Sequence, residues 1–281
     1  MTAGLGSRDH ARTLDEMVRI AAKAAALVRT AYAKDFRVEY KTADDPVTEV
    51  DKAANELLCT ELARAFPGVP IVAEESDEST FDARLAGGAT FFVDPIDGTR
   101  DFIKKNGEFA VMIGLADGGR AILGVVDCPA WEYSVAGGDR VPSFREASGG
   151  ARTLLKPRTE RELANATAFV SRSRGDATRM ILESLGVREF LLRGGAGVKG
   201  IGVAQGEADL SLPTGRAGKH WDSCAPEAIA TGCGVRFTDP DGKGFDYRRE
   251  VLDLDAGVLC ATPAIHERLV RALAARSEES A

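Results

Sequence analysis

The most informative stretch of this chain is residues 91–99, with the sequence FFVDPIDGT. Its three apolar residues predict a buried strand that stops at Asp94-Pro95. Pro95 has a fixed φ and no N–H, so the turn after the strand is stiff. Gly98 permits another backbone to approach closely, and Thr99 is placed to begin a short helix whose free N–H groups would hold an anion. Asp94 and Asp97 flank a rigid turn, and a helix N-terminus that can bind an anion follows them. Together these features predict a phosphoryl-transfer site.

A second pair of acids follows another short buried strand. Residues 71–73, Ile-Val-Ala, run directly into Glu74 and Glu75. If these carboxylates converge with Asp94 and Asp97, each close pair repels by about 1–4 kcal/mol at effective dielectrics of about 80 to 20. A fold tolerates that repulsion when the acids are protonated, point apart into water or are neutralised by cations. Because neither Cys nor His accompanies them, the acids suit a hard ion such as Mg²⁺.

On either side of these motifs, the two halves of the chain differ in the order of their predicted helices and strands. Apolar residues at helical spacing predict an amphipathic helix over 12–33, and Thr48 with Asp51 predicts a capping box on a second helix. A hairpin is expected over 109–126. Beyond the charged, Gly- and Pro-rich segment 145–162, strands and helices alternate. We therefore predict an α/β fold with two domains, an α+β domain over 1–150 and an α/β domain over 151–281.

Composition excludes several function classes. With 36 basic against 43 acidic residues the net charge is −7, which argues against binding to nucleic acid or a membrane surface. The five cysteines are scattered and three histidines accompany them, which disfavours a zinc site and favours reduced thiols. No apolar run approaches the roughly 18–20 residues of a membrane span, and the N-terminal segment lacks the apolar stretch of a secretory signal. We expect a soluble, cytoplasmic protein.

Four spaced motifs resemble the signature of the inositol-monophosphatase-like superfamily of Mg²⁺-dependent, lithium-sensitive phosphatases. They occur in the expected order: Asp51 in PVTEVD, Glu74-Glu75, residues 94–99, and Trp221-Asp222. The resemblance covers about residues 12–270. It implies a layered α/β/α/β/α sandwich of the sugar-phosphatase type, a homodimer and a small phosphorylated substrate.

The same resemblance implies a set of metal ligands, most of them carried by the domain 1–150, while the domain 151–281 contributes Asp222 and substrate-binding residues. Glu74, Asp94 and the backbone carbonyl of Ile96 would hold a first Mg²⁺. Asp94, Asp97 and Asp222 would hold a second, and Glu74 would help with a weaker third. In this superfamily the ions activate a water and neutralise phosphate oxygens during in-line displacement.

The catalytic side chains implied by the resemblance are Asp51, Thr99 and Glu74. Asp51 and Thr99 match a dyad that orients and deprotonates the attacking water. For Glu75 two interpretations stay open, a direct role in the site and a supporting or capping role.

A further group of motifs is similar to the 3′(2′),5′-bisphosphate nucleotidase branch. They are residues 101–111 with Asn-Gly-Glu-Phe, the Ser-Arg-Ser at 171–173, the Gly-rich segment 194–199 and HWDSCAPE at 220–227. The branch implies removal of the 3′-phosphate from adenosine 3′,5′-bisphosphate, with the sulfated nucleotide as a further substrate. The residues then expected to bind substrate are Gly98, Thr99, Ser171, Arg172, Gly195, Lys199 and Asp222.

One residue departs from the branch. Arg174 occupies the position where the branch has His. An arginine there would either bind a phosphate through two hydrogen bonds or fill the pocket expected for the adenine base. Inositol monophosphatase and histidinol phosphatase therefore remain alternatives, which a substrate panel would separate. A non-catalytic binding module would be expected to have lost metal ligands, and this chain retains all of them.

Overall fold

The computed structural model describes residues 10–42, 45–86, 88–172 and 175–279. These residues form seven α-helices and fourteen strands, with short 3₁₀ turns at Glu78–Ala86 and Leu163–Asn165. The helices are α1 (His10–Tyr32), α2 (Glu49–Ala65), α3 (Thr99–Ile103), α4 (Asp176–Ser184), α5 (Ala196–Ala204), α6 (His220–Gly232) and α7 (Pro263–Glu279).

The strands make three sheets. A two-stranded hairpin pairs β1 (Val38–Thr42) with β2 (Asp45–Thr48). The large sheet runs in chain order through β3 (Ile71–Ala73), β4 (Thr90–Asp97), β5 (Ala110–Asp117), β6 (Arg120–Cys128), β7 (Tyr133–Gly138), β8 (Val141–Ala147) and β9 (Arg152–Leu154). The smaller sheet has the order β11-β10-β12-β14-β13, made of β10 (Thr167–Ser171), β11 (Glu189–Arg193), β12 (Leu210–Ser211), β13 (Arg236–Thr238) and β14 (Leu259–Ala261).

Helices and sheets stack in five layers. Apolar side chains of α1 and α2 pack on one face of the large sheet. On its other face lie α5 and α6, which also pack against the smaller sheet. The outer face of that smaller sheet is covered by α4 and α7. The predicted α/β/α/β/α sandwich is therefore confirmed.

The local predictions hold within a few residues. The helix expected over 12–33 runs from His10 to Tyr32, and the capping box of Thr48 and Asp51 is present on α2. The division into two domains at residue 150 stays a prediction, and β9 joins the large sheet from beyond that position. Among the described residues, no helix combines the length and the apolar character that crossing a membrane requires.

A row of glycines lets α6 approach the large sheet closely. Gly114, Gly124 and Gly137 are direct neighbours across β5, β6 and β7. A Cβ on Gly124 would lie 2.2 Å from the carbonyl oxygen of Ala225, and one on Gly114 would lie 2.6 Å from Cys224. A side chain at Gly114 or Gly124 would push α6 outward, whereas one at Gly137 would meet Ser143 of β8. Gly114 and Gly124 therefore set the distance between the start of α6 and the end of β4.

Candidate active site

Three carboxylates converge where β4 ends and α6 begins. Asp94, Asp97 and Asp222 each offer an oxygen, and these oxygens all lie within 4.8 Å of one another. In a regular strand, residues three apart would face opposite sides. The pairing of β4 with β5 shifts between Asp94 and Asp97, and this irregularity turns both carboxylates toward α6. We call these three residues the acid triad.

Burial makes the acid triad electrostatically unfavourable without a cation. Asp94 is 1% exposed and Asp97 4%. Burial raises the pKa of both Asp94 and Asp222 well above the ordinary value, and the neighbouring acids raise it further. Burial also raises the pKa of Asp97, against the opposing effect of the Lys199 ammonium.

Backbone N–H groups hold each member of the acid triad in place. Asp94 Oδ1 accepts from the N–H of Ile96 at 3.0 Å, and Asp222 Oδ2 accepts from the N–H of Lys219 at 2.7 Å. The two oxygens of Asp97 accept from the first N–H groups of α5, those of residues 196 and 197, both at 2.8 Å. The carboxylate of Asp97 thereby caps α5 and fixes this helix to the end of β4.

Glu74 lies beside the acid triad and pairs with a lysine. Within the described residues it falls outside the group whose oxygens are mutually within 4.8 Å. Its Oε1 is 3.3 Å from Lys41 Nζ, which also lies 2.5 Å from Glu75 Oε1. Burial raises the pKa of Glu74 to about 7, while Lys41 opposes the shift. Lys41 was not singled out from the sequence, because nothing near it in the chain indicates that β1 reaches the acids.

The predicted dyad of Asp51 and Thr99 forms. The Thr99 hydroxyl lies 3.2 Å from Asp51 Oδ1 and 3.1 Å from the carbonyl oxygen of Ile96. The other oxygen of Asp51 accepts from the backbone N–H of Thr48 at 2.8 Å and from the hydroxyl of Thr48. Burial raises the pKa of Asp51, so its carboxylate is poised to take a proton.

A cavity of roughly 300 Å³ opens beside the acid triad. It lies between the end of β4, the start of α5 and the smaller sheet. Ser173 and Arg174 lie outside the described residues. Every residue that was expected to bind substrate lines the cavity: Gly98, Thr99, Ser171, Arg172, Gly195, Lys199 and Asp222. Arg100 and Arg216, which were not singled out from the sequence, line it too.

The positive groups of this cavity are held by partners within the protein. The buried Lys199 ammonium donates to the carbonyl oxygens of Gly194 and Gly195, and burial lowers its pKa. Arg172 pairs with Glu108 at 2.8 Å, and the same Glu108 oxygen accepts from the N–H of Gly194 at 2.7 Å. Glu108 belongs to the Asn-Gly-Glu-Phe motif, and the structure shows that it ties Arg172 to the Gly-rich segment.

The donor set fits a hard cation. Its members are carboxylates with raised pKa values, and within the described part of the chain neither Cys nor His belongs to the group. A positive ion among them would relieve the mutual repulsion and face the cavity. The arrangement is therefore suited to a phosphate ester whose oxygens reach the ion while its remainder occupies the cavity.

Comparison with known proteins agrees with this geometry. A model described as the inositol monophosphatase family matches residues 9–278. The chain is 34% identical over 239 residues to the 3′(2′),5′-bisphosphate nucleotidase CysQ of Escherichia coli strain K12, covering 83% of this chain and 93% of that protein. It is 29% identical over 272 residues to human 3′(2′),5′-bisphosphate nucleotidase 1, covering 86% and 88%.

Solved structures share the fold. Mycobacterium tuberculosis SuhB superposes with a TM-score of 0.75 at 26% identity, covering 95% of this chain and 98% of that one. The Thermotoga maritima IMPase TM1415 gives a TM-score of 0.78 at 22% identity, covering 95% and 99%. At these identities the structural similarity supports the fold alone. The substrate must be argued from the residues that line the cavity.

Proposed function

The chain belongs to the inositol monophosphatase family, and from this premise we propose that it removes the 3′-phosphate of adenosine 3′,5′-bisphosphate. The sulfated nucleotide is its second proposed substrate. The observation that carries the proposal is the continuity of one cavity from the acid triad to Ser171, Arg172 and Lys199. A bisphosphate needs a second set of donors away from the reacting phosphate, and these side chains offer it. The names of the curated relatives support the same choice.

We propose Mg²⁺ as the metal, with two ions and a weaker third. Glu74, Asp94 and the carbonyl of Ile96 would hold the first ion, and the acid triad would hold the second. Glu74 would also contribute to the third. When bound, such ions lower the pKa of a water and neutralise phosphate oxygens.

The protein's own groups then orient the reaction. Asp51 accepts a proton from the attacking water, and the Thr99 hydroxyl, which lies between Asp51 and the Ile96 carbonyl, orients that water. Gly98, with φ +85°, lets the backbone of Glu108 and Gly195 pack closely against the start of α3, where a Cβ would lie 2.9 Å from the Glu108 carbonyl oxygen. Lys199 is held in place by the Gly-rich segment and presents its charge to the cavity. Arg172, with about two-fifths of its side chain exposed, turns from Glu108 to the distal phosphate.

A substrate comparison tests the proposal. Phosphate release with Mg²⁺ is measured from adenosine 3′,5′-bisphosphate and from inositol 1-phosphate, with Asp94→Asn as the blank. We expect kcat/KM to favour the bisphosphate by at least about tenfold, or about 1.4 kcal/mol. A preference for inositol 1-phosphate would contradict the proposal and favour an inositol monophosphatase.

A matched variant tests the role of Arg172. Arg172→Gln should raise KM for adenosine 3′,5′-bisphosphate by about tenfold and leave hydrolysis of adenosine 3′-monophosphate nearly unchanged, because the monophosphate has no distal phosphate to lose. An equal effect on both substrates would place Arg172 outside the distal subsite.

The family resemblance supports two further proposals, a homodimer and a cytoplasmic location. Light scattering after size exclusion should then give twice the 29.8 kDa of one chain. A mass of one chain at micromolar concentration would contradict the dimer.

A further inference from the structure

A second cavity lies on the opposite face of the large sheet, beneath α1. Its volume is roughly 210 Å³. One wall is α1, which presents Val18, Ala22, Ala25 and Ala26, and the floor is formed by β6, β7 and β8. Because three of these four α1 residues are alanines, the helix leaves space above the sheet where larger side chains would fill it.

Three polar residues form a row across the cavity floor. Asp127 is the direct cross-strand neighbour of Ser134, and Ser134 is the neighbour of Glu146. Side chains two positions away on these strands, such as Val125 and Phe144, pack in the core against α1. By strand alternation, the row therefore faces α1 and the cavity.

The charges around the cavity leave one carboxylate without a partner. Glu146 pairs with Arg152 at 2.5 Å, and Glu132, at the rim, pairs with Arg29 at 3.1 Å. Asp127 is 8% exposed, and within the part of the chain that the structure describes no hydrogen bond or ion pair reaches its carboxylate.

A buried carboxylate without a partner costs free energy. Burial raises the pKa of Asp127 to about 7, and Glu146 adds to the effect while Arg29 opposes it. The cavity thus combines the Asp127 carboxylate, which has no hydrogen-bond or ion-pair partner within the described part of the chain, with the apolar wall of α1. An occupant with a positive end and an alkyl chain would match both features.

We propose that this cavity binds a small organic ammonium ion. The ammonium group lies against Asp127 and the Ser134 hydroxyl, and its alkyl chain lies along Val18 and Ala25. A divalent metal fits less well, because it takes about six oxygen ligands and two of the three nearby carboxylates are already ion-paired. The site is separate from the acid triad and does not depend on the proposed phosphatase activity.

A pair of matched probes tests the charge requirement. Butylamine and butan-1-ol, which differ in the charged end group, are titrated into the full chain, and amide NMR shifts are followed. We expect saturable shifts with butylamine at Asp127, Ser134 and Ala25, and none with butan-1-ol over the same range. Absence of saturation with butylamine, or equal binding of the alcohol, would overturn the proposal.

Two variants test the location. Asp127→Asn should weaken butylamine binding at least tenfold, and Ala22→Leu, on the exposed side of α1, should block the cavity without touching the core. Thermal melts and phosphate release serve as controls for folding, since neither residue belongs to the acid triad or its cavity. Unchanged affinity in both variants would overturn the proposal, as would Mg²⁺ displacing butylamine from the same amides, which would indicate a metal site.

Discussion

Replacing Asp94 with asparagine is predicted to stabilise the metal-free protein while abolishing its activity. Asp97 and Asp222 each place an oxygen within 4.8 Å of an Asp94 oxygen. At that spacing two full charges repel by about 3–4 kcal/mol at an effective dielectric of about 20. Since the pKa of Asp94 is well above its ordinary value, protonation already relieves much of this repulsion. We therefore expect a net gain of about 1–3 kcal/mol in the free energy of unfolding. The turn should survive, because asparagine keeps an oxygen for the N–H of Ile96.

Thermal unfolding at about pH 8, in EDTA and in excess MgCl₂, measures the effect. For a chain of this size about 1 kcal/mol corresponds to about 2–4 °C, so in EDTA Asp94→Asn should melt about 2–12 °C above the wild type. Mg²⁺ should raise the Tm of the wild type by mass action and that of the variant much less. Asp117→Asn, the same change at an exposed hairpin position, is the matched control and should leave Tm nearly unchanged.

Two outcomes would refute this reasoning. If Asp94→Asn melts below the wild type in EDTA, the carboxylates do not repel in the folded state and the negative charge of Asp94 is itself stabilising. If the variant gains as much from Mg²⁺ as the wild type does, Asp94 is not a ligand. Either result would remove the physical basis for the metal assignment.

Three other substitutions test the proposed water-positioning dyad at Thr99, the buried acid Glu227 and the glycine Gly218. Thr99→Val removes the hydroxyl next to Asp51 and should lower kcat by about 10²-fold with little change in KM; steady-state kinetics that showed a change in KM alone would contradict its role. Burial raises the pKa of Glu227 to about 8, above its ordinary 4.5, so the wild type loses stability as pH rises through this range. Glu227→Gln should therefore have a higher Tm than the wild type near pH 9 and a similar Tm near pH 5. If the two proteins had equal Tm values at both pH values, the raised pKa of Glu227 would be contradicted. In Gly218→Ala, a Cβ at φ +113° would lie 2.6 Å from Asp222 Oδ2, so we expect at least about tenfold lower activity and a higher Mg²⁺ requirement in metal titrations.

The features that were predictable from the sequence are those whose partners lie close together in the chain. The capping box of Thr48 and Asp51 closes within one helical turn, so its spacing alone is sufficient evidence. The helix that begins at Thr99 follows directly from the glycine before it and the stiff turn at Pro95. In each case a few consecutive residues contain both the donor and the acceptor.

Features whose partners lie far apart in the chain were not predictable in this way. Lys41 reaches Glu74 and Glu75 because the β1–β2 hairpin folds over them, and no local pattern near Lys41 indicates it. The pairing of Glu108 with Arg172 likewise joins the end of the α3 region to β10. Arg172 therefore has a carboxylate partner, and binding of the proposed distal phosphate would include breaking that pair.

The arrival of Asp222 at the acid triad depends on residues that carry no chemistry themselves. The family resemblance identifies Trp221-Asp222 as a candidate ligand segment, but its distance from β4 is set by how closely α6 packs on the large sheet. That distance follows from Gly114 and Gly124, which are adjacent only once the strand register is known. Since a Cβ on Gly124 would lie 2.2 Å from the backbone of α6, even a methyl group there would move the helix. Carboxylates that lie far apart in the sequence come together in the fold because Gly114 and Gly124 place no side chain between the large sheet and the start of α6.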